Sequence, residues 1–211
     1  MSVSSENKAI AKYVRSVVGG SPVVAKYWDD AHASSVDIFS ASDAPVTGVT
    51  AYAAIGLSDH SFGLHVDDVP LGVEFVAAAA TRYDIFPNIL ATCAFNMINT
   101  RMACQPGTVF PRVVEMYKGD SDMKDVLFVP PFLWQLETLD FDSKKVAWLL
   151  AVPISEGEHA YARENGSNAL EALFEDRQID IFDLDRESVV QEARWRSRFA
   201  LPAGRLRFGG V

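Results

Sequence analysis

The chain has 211 residues, 49% apolar and 22% charged, with a formal net charge of −9. That is enough for one globular, soluble domain with a real core. It holds no run of the ~20 apolar residues that a membrane helix needs, and its start lacks the basic flank, apolar block and cleavage site of a signal peptide. Cys93 and Cys104 are the only cysteines, too few for a disulfide framework or a zinc cluster, and point to a reduced, cytoplasmic protein.

The charge is unevenly spread. Residues 191–211 carry five of the twelve Arg against the single acid Glu192, so they stand at +4 and residues 1–190 at −13. Such a body repels nucleic-acid phosphates and suits a basic partner.

In chain order, "SSENKAIAKYVRSVVGG" predicts a helix capped by Ser4 or Ser5, with Ile10, Tyr13, Val14 and Val17 on one side and Gly19 and Gly20 as its stop. "PVVAKYWD" and "SSVDIFSA" read as strands, with a turn at "SDAP". "VTGVTAYAAIGL" is a third strand; residues 62–66 and "LGVEFVAAA" are two more around a turn at "VDDVP". "FPNILATCAFNMINTRM" is a helix with Pro87 in its first turn and a wide apolar stripe. "TVFPRVVEMY" holds a short extended piece and "KGDSDMKD" a polar loop. "VLFVPPFLW" begins as a buried strand that its Pro pair pushes off regular pairing. "KKVAWLLAVPI" is a continuous apolar run of strand length, so central in a sheet. "SEGEHAYARENG" and "NALEALFEDRQ" are helices, the first with a Ser cap, acids in its first turn and an Asn-Gly end. "IDIFDL" alternates apolar and acidic residues and reads as a half-buried edge strand. Residues 191–211 change character and are taken as a basic appendage to a domain spanning 1–190.

The stretch "VTAYAAIGLSDHSFG" places Ser58, Asp59 and His60 side by side. A Ser–His–Asp triad needs side chains that converge from separate parts of the chain, and the flanking residues do not form a Gly-x-Ser-x-Gly elbow. The bland reading is a corner in which Ser58 and Asp59 bond the turn amides. A metalloenzyme or hydrolase using Asp59, His60 and His65 stays as an alternative, although a gap of four residues suits a zinc pair only on a helix. The acidic loop with Asp120, Asp122 and Asp125 lacks the Gly and closing Glu of a calcium loop, and reads as solvated surface or a partner contact. Cys93 reads as a packed small hydrophobe, and Trp28, Trp134 and Trp148 as core or partly buried. No nucleotide-binding loop, His-Glu-x-x-His or Cys-x-x-Cys motif is present, which favours binding over catalysis, with no cofactor and no metal.

The "TAYAAIGLSDHSFG" corner, then "LGVEFVAAA", "FPNILATCAFNMINT", "VLFVPPFLW", "VAWLLAVPISEGEHAYARENG" and "ALEALFEDRQIDIFDLDR" together resemble the suppressor-of-fused (SUFU) domain family over residues 5–190. Within it, "ENKAIAKYV", "YWDD" and "DIFDLDR" are similar to bacterial members that act as antitoxins or immunity proteins against a DNase toxin of the LXG polymorphic class. The basic tail departs from that pattern. The resemblance implies an α+β fold, a mixed, largely antiparallel sheet flanked by helices. It implies stoichiometric binding rather than turnover, with a cognate toxin, a basic nuclease domain, as partner. Asp120, Asp122, Asp125, Asp140 and Asp142 are the candidate toxin-binding residues, diluted by Lys124, Lys144 and Lys145. A general partner-binding scaffold of the same type is the alternative.

Overall fold

The computed structural model describes residues 3–190. Helix α1 (Ser5–Val18) starts at Ser4, whose hydroxyl accepts from the Asn7 N–H at 3.0 Å, and stops at Gly19 with φ +81°. Its i, i+4 pair Ile10 and Val14 is buried against the third strand. Three antiparallel strands follow, β1 (Pro22–Trp28), β2 (Ser35–Ser42) and β3 (Val49–Ile55). A single 3-10 turn, Leu57–Asp59, leads to the hairpin of β4 (His65–Val66) and β5 (Val69–Ala80). Its two loop residues, Asp67 and Asp68, both have positive φ, the two-residue turn whose twist matches antiparallel strands.

Helix α2 (Phe86–Thr100) carries Pro87 at its start, as predicted. Then come β6 (Val109–Phe110), β7 (Met123–Val129), β8 (Leu139–Asp140) and β9 (Lys145–Ser155). Helices α3 (Glu156–Asn165) and α4 (Ser167–Arg177) close the regular structure of the described residues. The sheet runs β1-β2-β3-β5-β9-β7-β6, with β4 beside β5 and β8 beside β9. Among the described residues only β5 and β9 pair in parallel; every other ladder is antiparallel. The predicted α+β architecture is therefore the observed one, with β9 central between β5 and β7.

Period-two alternation sends side chains to two cores. Tyr52, Phe75, Ala77 and Phe128 meet α2 on one face. Ala51, Ala53, Val76, Trp148 and Leu150 meet α1, α4 and the loop carrying Trp134 on the other. Strands β3, β5 and β9 look continuously apolar because both faces are covered. Pro153 fits a central strand because β5 no longer pairs with β9 beyond Leu150, and the guanidinium of Arg186 donates to the Pro153 carbonyl at 3.1 Å on the side that β5 has vacated.

Three readings need correction. "IDIFDL" is not a strand: Asp180 and Asp183 accept from the N–H groups two residues on, of Phe182 and Asp185, and turn the chain. Its alternation is that of a turn-rich segment laid over the core. Strand β7 starts at Met123, so Asp125 lies in a strand and is only 2% exposed. Trp28 is half-exposed on the sheet edge, stacked on His32, the partly buried of the two placements its sequence allowed. The two-residue strand β8 was not anticipated. Residues 191–211 lie outside the described residues.

Candidate functional site

The corner after β3 is organised by a residue that its own sequence does not contain. Gly56 takes a left-handed φ of +96° and turns the chain so that three successive N–H groups point inward. Glu74, on β5, accepts all of them: Gly56 N–H at 2.9 Å and Ser58 N–H at 3.1 Å on Oε1, Leu57 N–H at 3.2 Å on Oε2. The Ser58 hydroxyl adds a fourth bond at 2.8 Å. Burial pushes the Glu74 carboxyl up to about 7, against the pull of these four donors. Two residues earlier on the same strand face, Gly72 lets the turn lie directly on β5; a Cβ there would sit 2.7 Å from the Ser58 Cβ.

The three adjacent side chains thus do three separate jobs. Ser58 is buried and donates to Glu74. Asp59 turns outward to Lys144 Nζ at 2.6 Å and accepts from Asn7 Nδ2 at 2.7 Å, so it ties the corner to α1 and to the start of β9 rather than capping the turn amides. Lys144 also donates to the Ser58 carbonyl at 3.1 Å and lies 3.5 Å from Glu6. His60 is half-buried; burial and the charge of Arg101 hold it below the usual imidazole range, with Asp59 pulling the other way. His65 is exposed on β4, with Nδ1 3.2 Å from the Gly63 carbonyl. A polar cleft of about 300 Å³ lies beside the corner, lined by Asp59, His60 and Lys144. Asp59, His60 and His65 do not converge on a common point. Among the described residues no group of three or more His, Cys, Asp and Glu side chains is placed to hold a metal ion, and no helix is long and apolar enough to cross a membrane.

The five acids singled out from the sequence do not form one patch. Asp120 and Asp122 precede β7 and are exposed. Lys118 bonds Asp120 and holds its carboxyl below the usual range. Asp125 faces inward, accepting from the Arg112 N–H at 2.8 Å and lying 2.5 Å from His159 Nδ1, and so fastens β7 to α3. Its placement on an exposed loop is thereby corrected: the strand begins at Met123, three residues earlier than the polar composition suggests. Asp140, at the end of β8, and Asp142, in the turn to β9, are exposed, Asp140 paired with Lys145. Met123 pairs with Ser155 at one end of β9 and Asp140 with Lys145 at the other. Ten residues of strand rise, roughly 33 Å, therefore separate the two acidic pairs.

A second organising group closes the C-terminal side. Ser155 and Glu158 form the capping box of α3, and Glu158 is fully buried. Arg186 meets it with two parallel bonds of 2.7 Å, and the Val189 N–H donates to the same carboxylate at 2.9 Å. Sequence reading identified neither Glu74 nor the Glu158–Arg186 pair. The one available signal was an isolated acid inside an apolar run, as in "GVEFVAA".

An open mixed sheet with helices on both faces, and a corner held by a buried carboxylate, places this domain in the α+β class. The family profile of the suppressor of fused protein (SUFU) matches residues 32–187, and the chain belongs to that family. It is 53% identical, over 192 residues, to the immunity protein YqcF of Bacillus subtilis (strain 168), an alignment covering 90% of this chain and all of that one. Among solved structures it is similar to a putative SUFU homologue from Neisseria gonorrhoeae FA 1090, with a TM-score of 0.61, 17% identity, and coverage of 88% of this chain and 94% of that one. It is also similar to Drosophila Suppressor of Fused, with a TM-score of 0.59, 15% identity, and coverage of 87% of this chain and 50% of that one. At those identities the two structures share the fold.

Proposed function

We propose that this chain is an immunity protein that neutralises a cognate polymorphic toxin in the cytoplasm by direct, stoichiometric binding, and that the toxin is a basic nuclease domain of the LXG DNase class. The observation that carries the reading is 53% identity along the full length of a relative named an immunity protein. The charge distribution supports it: residues 1–190 hold a balance of −13, so the body attracts a basic surface and repels DNA. Asp120 and Asp122 at one end of β9, and Asp140 and Asp142 at the other, are exposed and steer encounter from two sides. Asp125 is withdrawn from that set because its carboxylate is used inside the fold.

The test is titration calorimetry against the C-terminal domain of the toxin encoded beside this gene, with DNA cleavage followed on the same samples. Nanomolar one-to-one binding with loss of cleavage is the expected result. No heat and undiminished cleavage would overturn the reading and favour a general partner-binding scaffold.

A further inference from the structure

On the sheet face shared by α1 and α4, a groove of about 780 Å³ runs between α4, the 179–182 segment and residues 129–133. Its origin is local. Pro130 and Pro131 end the β7 ladder and lift the chain off the sheet, so that Phe132 stands on the rim, 61% exposed. Val129, Val152, Phe174 and Ile181 form apolar walls. The charged part of the lining is one-sided: among the described residues it has three carboxylates, Glu171, Glu175 and Asp180, and neither Lys nor Arg.

Glu171 and Glu175 are four residues apart on one stripe of α4, a like-charge spacing that weakens a helix. Partial burial pushes the Glu171 carboxyl up, and among the described residues no cation counters that shift. Glu171 is partly buried in the groove, and Glu175, exposed one turn further along α4, adds a like charge beside it. A cation placed there offsets both the repulsion and the desolvation.

We propose that this groove is the docking site for a segment of the toxin that carries an aromatic or branched apolar side chain flanked by Arg or Lys residues; the inference rests on the immunity reading. The apolar side chain packs between Phe132, Phe174 and Val152, and the cations meet Glu171, Glu175 and Asp180. Desolvated aromatic anchors with paired charges govern how long a complex lasts, whereas the exposed acids at the ends of β9 govern how fast it forms.

The experiment is surface-based binding kinetics of the full-length chain against the C-terminal domain of the neighbouring toxin, with native, Phe132→Asp and Glu171→Lys/Glu175→Lys forms. All three side chains are at least partly exposed, so far-UV circular dichroism should be unchanged. Dissociation should be at least ~10-fold faster for Phe132→Asp, with the association rate within about twofold; the double charge reversal should slow association and speed dissociation. Native affinity in both variants, with the native chain still binding tightly, would overturn the groove and leave the immunity reading standing. No binding by the native chain would overturn the reading itself, and the groove proposal with it. Two other occupants are separable. If Phe132→Asp only converts a dimer to a monomer in sedimentation, the groove belongs to a second copy. If it only makes residues 191–211 newly sensitive to trypsin, the groove holds the chain's own end. Either outcome overturns the proposal.

Discussion

Glu74 and Ser58 are joined twice: Oε1 of the one accepts the backbone N–H of the other at 3.1 Å and its hydroxyl at 2.8 Å. The residue in this corner that most invites a catalytic reading is thereby occupied by a structural carboxylate from another strand. Replacing Glu74 with Ala should leave those two donors and the Gly56 and Leu57 N–H groups buried without an acceptor, at about 3 kcal/mol or more. Ser58→Ala removes one bond only and should cost about 1 kcal/mol. Urea unfolding of both variants checks the ordering; equal losses would mean that Glu74 does not organise the turn.

The same carboxyl makes stability depend on pH. Its folded value of about 7 lies above the ordinary 4.5. From 4.5 to 7 the unfolded chain releases this proton while the folded chain keeps it, so the contribution is full at low pH and is lost as pH rises through 7. The loss is on the order of 3 kcal/mol. Unfolding curves from about pH 5 to about pH 8 should show the decline, and Glu74→Gln should flatten that part of it. An identical slope in the variant would count against this assignment.

Gly72→Ala places a Cβ 2.7 Å from the Ser58 Cβ and 2.9 Å from its carbonyl oxygen. Neither atom is the free end of a flexible side chain, so the turn must move off β5, at about 1–3 kcal/mol. A thermal melt reads this directly. Gly119→Ala, where the nearest atom would be 3.7 Å away, is the control and should be nearly neutral.

Arg186→Met strands Glu158, which is fully buried, and should destabilise by about 3–5 kcal/mol. Arg186→Lys keeps the charge but not the two parallel bonds, and should fall between native and Met. Chemical denaturation of the three forms tests the order. If the Met form is as stable as the native chain, the pair does not hold the 179–190 segment in place.

The acids should divide by role. Asp125→Asn weakens contacts to Arg112 and His159 and should lower stability by about 1–3 kcal/mol while toxin affinity, measured well below the melting point, stays the same. Asp120→Asn with Asp122→Asn should leave stability within about 0.5 kcal/mol and slow association severalfold, an effect that shrinks as salt rises. Stopped-flow association at two ionic strengths separates these outcomes, and salt-independent rates would remove the steering role of the loop.

The sequence by itself determined what depends on neighbours along the chain. The Ser4 and Ser155 caps, the Gly19 and Gly166 stops, the apolar stripe of α2 and the central place of β9 all follow from residues within a few positions of each other, because caps, periodicity and turn chemistry are short-range. The same locality misled at "IDIFDL", where alternation imitates a strand but the carboxylates bond backbone two residues away, and at Asp125, where a polar run hides the first residues of β7. Tertiary structure alone decided which acids are buried anchors and which face solvent. Glu74 meets donors 16 to 18 residues upstream, Arg186 meets a carboxylate 28 residues away, and the length of β9 places Asp122 and Asp140 at opposite ends of the sheet. A carboxylate's role is set by the dielectric and the donors around it, and both are supplied by segments that only folding brings together.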